Sequence, residues 1–247
     1  MSLNKIFKPK SSFSLVRFGK NYDGGYLVGL KTVRESKVLV SCGIKNDWSF
    51  ELDFIKYNAS AKILCIDNQL DFKLLLRLIF QQSIFIFWNR NFSLLFNNFK
   101  NFFSFFSFRK KVTLIKKHIS YGDIINISKG YEDIFFKIDI DGSEYRIFEE
   151  LIEIKNKILG LVIEIHDIDL HKDKIINFIN QLGMQLVHIH PNNFAGVDKN
   201  NDPIVLELTF EKKPEISNGE VVFPNKLDMK NNPLIKDIYL NFDDNLS

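Results

Sequence analysis

Short apolar runs bounded by turn residues recur along the chain, with amphipathic stretches between them. Val38-Leu39-Val40-Ser41-Cys42 predicts a buried strand ending at Gly43. A helical stretch from Trp48 to Tyr57 follows, then Lys62 to Ile66 as a second strand closing at Asp67. Val112 to Ile119 predicts a third strand, and Ile134 to Ile140 a fourth with a helix from Glu144 to Lys155 behind it. Leu159 to Ile165 is a fifth strand, leading into a helix from Ile168 to Leu182. Strands this apolar, alternating with helices, indicate a parallel sheet whose two faces are both covered by crossover helices.

The rhythm then changes. Met184 to His190 and Ile204 to Phe210 read as strands joined through Pro191-Asn192-Asn193 and Asp198 to Pro203, with no room for a helix. They predict a hairpin that places one antiparallel strand in an otherwise parallel sheet. The expected fold is α/β: a doubly wound, mostly parallel, seven-stranded Rossmann-like sheet with a C-terminal hairpin, forming one domain over residues 1–247. Between the second and third strands, residues 70–110 read as an insertion. Its Phe92, Leu95, Phe96, Phe99, Phe102, Phe103 and Phe106 fall on one face of an amphipathic helix. That face is expected to pack on the domain or between two copies of the chain; peripheral contact with a membrane surface is the other reading of a basic, Phe-rich helix.

Composition sharpens this picture at three points. The first residues lack the basic-then-apolar pattern of a secretory signal, and no run reaches the roughly 18 apolar residues of a membrane span. Cys42 and Cys65 both sit inside apolar strands, which suits buried thiols in a reducing, cytoplasmic setting better than a disulfide or a metal site. The net charge of +3 conceals an asymmetry: Phe72 to Lys117 holds nine Lys or Arg and no acid, leaving 24 basic against 30 acidic residues elsewhere. Such a segment is a candidate surface for phosphate, sugar nucleotide or anionic lipid.

In open α/β sheets ligands bind beyond the carboxyl ends of the strands. The residues at those ends are Gly43, Asp67, Asp139 with Asp141, Glu164 with His166, and His190. Gly43 lets the chain turn closely beneath a ligand. Asp67 is placed to accept hydrogen bonds from ribose hydroxyls, and Asp123, after the third strand, is where an acid can meet an adenine amino group. The segment Gly43-Ile44-Lys45-Asn46-Asp47 lacks the second and third glycines that a pyrophosphate requires, which favours S-adenosylmethionine over a nicotinamide dinucleotide.

At these residues a resemblance emerges. Arg17-Phe18-Gly19, Asp23-Gly24-Gly25-Tyr26, Ser41-Cys42-Gly43-Ile44 and Asp47-Trp48-Ser49-Phe50-Glu51 resemble the methyltransferases related to the FkbM-type O-methyltransferases. Lys137-Ile138-Asp139-Ile140-Asp141-Gly142-Ser143-Glu144 is similar to their fourth-strand signature, where the second acid is more often Glu. Glu164-Ile165-His166 and His190-Pro191-Asn192-Asn193 fit the branch that carries the Asp-Gly-Gly-Tyr segment, while Lys45 stands where relatives commonly have glycine. The resemblance covers Arg17 to Phe210, apart from the insertion. It implies a class I methyltransferase fold and methyl transfer to an oxygen of a sugar or other polyhydroxylated acceptor. It also implies cofactor contacts from Gly24, Gly25, Ser41, Gly43, Asp67 and Asp123.

Methylating a hydroxyl requires aligned reactants and a base for its proton. His166 is the first candidate base, with Asp139 or Glu164 to orient it and His190 in reserve. Asp139, Asp141, Glu164 and His166 are equally a donor set for a divalent cation that would polarise the acceptor oxygen. Two other classes compete. One is a catalytically inert module docking to a glycan assembly complex or a membrane through the basic insert. The other, a nucleotide-sugar oxidoreductase, lacks its glycine fingerprint. Nucleic acid is not an expected partner, since no Asn-Pro-Pro-Tyr-like amine-methylating motif is present.

Overall fold

The computed structural model describes residues 3–68 and 104–243. A short parallel pair, β1 (Leu3–Asn4) with β11 (Phe242–Asp243), ties the two ends together. β2 (Val16–Gly19) and β3 (Gly25–Val28) form a separate antiparallel ribbon. The main sheet contains β4 (Val38–Cys42), β5 (Lys62–Ile66), β6 (Thr113–Ile115), β7 (Ile134–Ile138), β8 (Ile158–Ile165), β9 (Gln185–Pro191) and β10 (Leu206–Glu211), in the order β6-β5-β4-β7-β8-β10-β9. The pairs from β6 to β8 are parallel, and β10 runs antiparallel to both β8 and β9. This is the doubly wound, Rossmann-like α/β architecture with a C-terminal hairpin that the strand rhythm predicts.

The helices are α1 (Leu30–Glu35), α2 (Ser49–Tyr57), α3 (Asp123–Ile127), α4 (Phe148–Glu153) and α5 (Ile168–Leu182). Side chains alternate across β7, so Phe135 packs with Phe18, Phe50 and Phe54 on one face while Phe136 joins Phe148 and Phe178 on the other. Fully burying one such aromatic contributes on the order of 2–3 kcal/mol, and both faces of the sheet are closed this way.

Three elements differ from the sequence reading. The third strand is limited to Thr113–Ile115, after which the chain bends back so that Lys117 N–H reaches the Asp67 carbonyl. The stretch from Glu144 to Lys155 is α4 flanked by two 3-10 turns, because the Glu144 side chain turns inward and accepts the N–H groups of Ile140 and Gly142. Most of the Phe-rich insertion lies outside the described residues. At its end, residues 104–109 are helical, and there Phe105 and Phe108 are buried against Trp48 at ring separations of 5.2 and 5.9 Å, with Phe106 only half-buried. Among the described residues, no helix is long and apolar enough to cross a membrane.

Candidate functional site

Register lines the polar strand ends up in one row. Cys42 pairs with Ile66 and with Ile138, and Ile138 with Ile163, so Asp67, Gly43, Asp139 and Glu164 follow side by side. Glu164 pairs with Glu207, and Glu207 with His190, which carries the row across β10 to β9. In-register neighbours project to the same face, here the face bearing α2 and the β2–β3 ribbon.

The middle of this row opens into a cavity of about 610 Å³ whose lining includes Asp23, Gly24, Lys137, Asp139, Glu164, His166 and Asn192. Nδ1 of His166 pairs with the fully buried Glu144 carboxylate at 3.2 Å, and its Nε2 lies 3.7 Å from Glu164 Oε1. The Tyr26 hydroxyl donates to Glu164 Oε2 at 3.2 Å, and the Asn192 amide to Oε1 at 3.1 Å. Burial raises the Glu164 carboxyl to about 8, helped by the charges of Asp139 and Glu207. For His166, burial works against protonation, but the hydrogen bond to Glu144 and the surrounding carboxylates outweigh it and raise the imidazole to about 9.

Lys137 stands beneath the same cavity. Its ammonium donates to the Gly43 carbonyl at 3.0 Å and lies 4.0 Å from Asp139 Oδ2. Burial opposes its charge, yet Asp139, Glu51 and Glu164 together hold it in the charged form. Sequence reasoning assigns Lys137 no role, although it carries a signal: a charge inside the apolar run Ile134 to Ile138, two residues before Asp139 and so on the same face. Glu144 likewise receives no role there, although it starts a predicted helix and closes the fourth-strand signature.

A second cavity, about 240 Å³, meets the first at Gly43, Lys45 and Asp139 and extends to Asp67, Asn68, Lys117 and Ile119. One Asp67 oxygen accepts the backbone N–H of Lys45 at 2.7 Å. Lys45 adopts φ +52, the left-handed conformation that glycine enters freely, so the loop takes a glycine-like path through a lysine.

The other predicted residues are placed unevenly. Gly24 (φ +82) lines the larger cavity, where an added Cβ would come within 2.8 Å of Asp47 Oδ2. Gly25 serves the turn behind it, since a Cβ there would strike the Lys20 carbonyl at 2.1 Å. Ser41 does not reach either cavity: it is fully buried and donates to Glu51 at 2.5 Å. Asp123 is held by Lys117 at 2.5 Å and by the Ser120 N–H, which caps the turn into α3. His190 belongs to the row but not to the cavity. The chain beyond β10 covers it, leaving it 3 % exposed with Asp228 3.7 Å from its Nδ1.

No family model matches the chain, and no curated protein matches it. Solved structures do resemble it. Precorrin-6y C5,15-methyltransferase from Geobacter metallireducens is 14% identical over 74% of this chain and 85% of that one, with a TM-score of 0.40. The fibrillarin pre-rRNA processing protein of Methanococcus jannaschii is 8% identical over 73% of this chain and 68% of that one, with a TM-score of 0.41. Likenesses at this level say nothing of substrate, so the chemistry has to come from the site's own residues.

Proposed function

We propose that the chain is an S-adenosylmethionine-dependent O-methyltransferase acting on a hydroxyl of a sugar. The observation that carries this reading is the meeting of two cavities at Gly43, Lys45 and Asp139, one running to Asp67 and the other to His166 with Glu144 behind it. The smaller cavity fits the adenosine end of the cofactor. It offers the Asp67 carboxylate as acceptor, while Lys45 and Lys117 are each matched by an aspartate, Asp141 at 2.8 Å and Asp123 at 2.5 Å. Its described lining therefore holds no pair of unmatched ammonium groups for a pyrophosphate.

When bound, the cofactor supplies a methyl group on a sulfonium, with a neutral thioether as leaving group. His166 Nε2 faces the larger cavity and takes the acceptor's hydroxyl proton. Glu144 fixes the imidazole through Nδ1, so that the free nitrogen is the one turned to the acceptor. Glu164, held by Tyr26 and Asn192, orients the hydroxyl. Ligand atoms of Asp139, Glu164 and His166 lie within 4.8 Å of one another, a spacing that would also suit a divalent cation. Asp139, however, already has the Lys45 and Lys137 ammonium groups at 4.0 Å each, which favours the metal-free base. Calorimetry with S-adenosylhomocysteine tests the reading: micromolar binding supports it, whereas tight binding of NAD with no response to the sulfur compound rejects it.

A further inference from the structure

The larger cavity has two walls beyond its catalytic floor. One is the loop holding Tyr22, Asp23 and Gly24, the other the loop Asn192-Asn193-Phe194-Ala195 after β9. Burial in the second loop is inverted relative to polarity: Asn192 and Asn193 are 5 % and 2 % exposed, while Phe194 is 57 % exposed. Tyr22, in the other wall, is 47 % exposed. The two buried amides are satisfied by hydrogen bonds, whereas folding gains nothing from the two rings left in water at the cavity mouth.

The rings are held there. Arg17 fastens the first wall by donating to the carbonyls of Lys20 and Tyr22 at 3.1 and 2.9 Å. From behind, the Asn231 amide donates to Asp23 at 3.3 Å, and the adjoining Asn232 exchanges two hydrogen bonds with the Asn193 side chain, at 2.7 and 2.9 Å. Consecutive residues stand only about 3.8 Å apart, so this one junction fixes both walls, and with them the two rings one residue away.

The charges of the cavity are as telling. Lys20 is paired with Asp47 at 3.1 Å, Lys45 with Asp141, and Lys137 lies between the Gly43 carbonyl and Asp139. Asp23 and Glu164 are met by neutral amides, from Asn231 and Asn192. The His166 imidazolium is matched in turn by Glu144, so each cation of the described lining already has a carboxylate, and a phosphate entering there would meet the exposed Asp23 carboxylate at the mouth with no free cation to receive it.

We infer that the acceptor enters as an uncharged ring, stacked at the mouth by Tyr22 and Phe194, with Asp23 accepting a ring hydroxyl, and that phosphorylated or nucleotide-linked sugars are excluded. This rests on the methyl-transfer reading. It departs from the reading of the basic segment as a surface for phosphate or sugar nucleotide. The test is saturation-transfer NMR on the protein loaded with S-adenosylhomocysteine, against methyl pyranosides of glucose, galactose, mannose and N-acetylglucosamine and their 6-phosphates and uridine-diphosphate counterparts. Transfer should reach the ring protons of at least one uncharged member and fall by roughly fivefold or more in both Tyr22→Ala and Phe194→Ala, as loss of an aromatic contact predicts. The phosphorylated counterpart should show less transfer than the uncharged sugar. Equal or stronger transfer to phosphorylated members, transfer unchanged in both variants, or transfer to no member would overturn the inference. Failure of S-adenosylhomocysteine to bind at all would instead count against methyl transfer itself.

Discussion

His166 and Glu144 form a pair in which the imidazole is open to the cavity and the carboxylate has no exposure to solvent. Glu144 Oε1 accepts from the Ile140 and Gly142 backbone as well as facing His166 Nδ1. The carboxylate is thereby anchored to the turn after β7 while it sets the direction of a ring at the end of β8. The link joins two neighbouring strand tips without passing through the sheet.

A base must be unprotonated to act, so turnover should climb as pH rises through the imidazole's value of about 9. Glu144→Gln removes the strongest group opposing burial and should bring that limb down toward the ordinary histidine value of about 6.5. Imidazole NMR titration follows this without an acceptor, and the pH profile of kcat/KM reports it with one. His166→Ala should lower turnover by roughly a hundredfold or more with cofactor affinity nearly unchanged.

Asp67→Ala should weaken S-adenosylhomocysteine by about tenfold or more, the scale of a lost hydrogen bond to a charged acceptor. Since Asp67 also holds the Lys45 N–H, part of the loss should appear as faster amide exchange in residues 43–47. Unchanged calorimetric affinity would place the ribose elsewhere.

Gly43 and Lys45 both have positive φ and should respond unequally to substitution. A Cβ on Gly43 would lie 1.6 Å from the Asp139 carbonyl oxygen, so Gly43→Ala should cost at least about 2 kcal/mol in denaturant unfolding. Lys45→Gly relieves about 1 kcal/mol of left-handed strain and gives up an exposed pair with Asp141 worth at most about the same. Its stability should stay within about 1 kcal/mol of the parent.

Asp228 receives His188 Nε2 at 2.8 Å and has His190 Nδ1 at 3.7 Å. Burial alone would raise its carboxyl, but the histidines hold it far below the carboxylate range; the same neighbourhood, against burial, lifts His190 to about 9. The carboxylate's contribution is present above pH about 4 and lost as pH falls through its depressed value. The His190 contribution is complete below about 6.5 and lost as pH rises through about 9. Melting temperature should therefore decline between about pH 6.5 and 9, and Asp228→Asn should flatten that decline.

The parallel sheet, its hairpin and the polar strand ends were legible because apolar runs and their terminating residues are local signals. Register is not local, yet the short turns after Cys42, Ile66 and Ile138 left Gly43, Asp67 and Asp139 little choice but to align. What escaped was long-range. His190 sits at a strand end like the others, and only the tail brought over β9 by Asp228 removes it from the cavity. Lys137 and Glu144 look like a stray charge and a helix start until the fold sets one beneath Gly43 and the other behind His166. Asn231 and Asn232 lie in a stretch without periodicity, where pattern has nothing to read.

The junction at Asn231 and Asn232 divides the labour of the chain in an unexpected way. Among the described residues the smaller cavity is lined by strand tips between β4 and β7, whereas the larger one is braced from outside the sheet, by residues that follow its last strand. On the methyl-transfer reading, acceptor selectivity would drift through changes in the tail while the smaller cavity stayed untouched, and exchanging the tail would be a direct way to change which acceptor is taken.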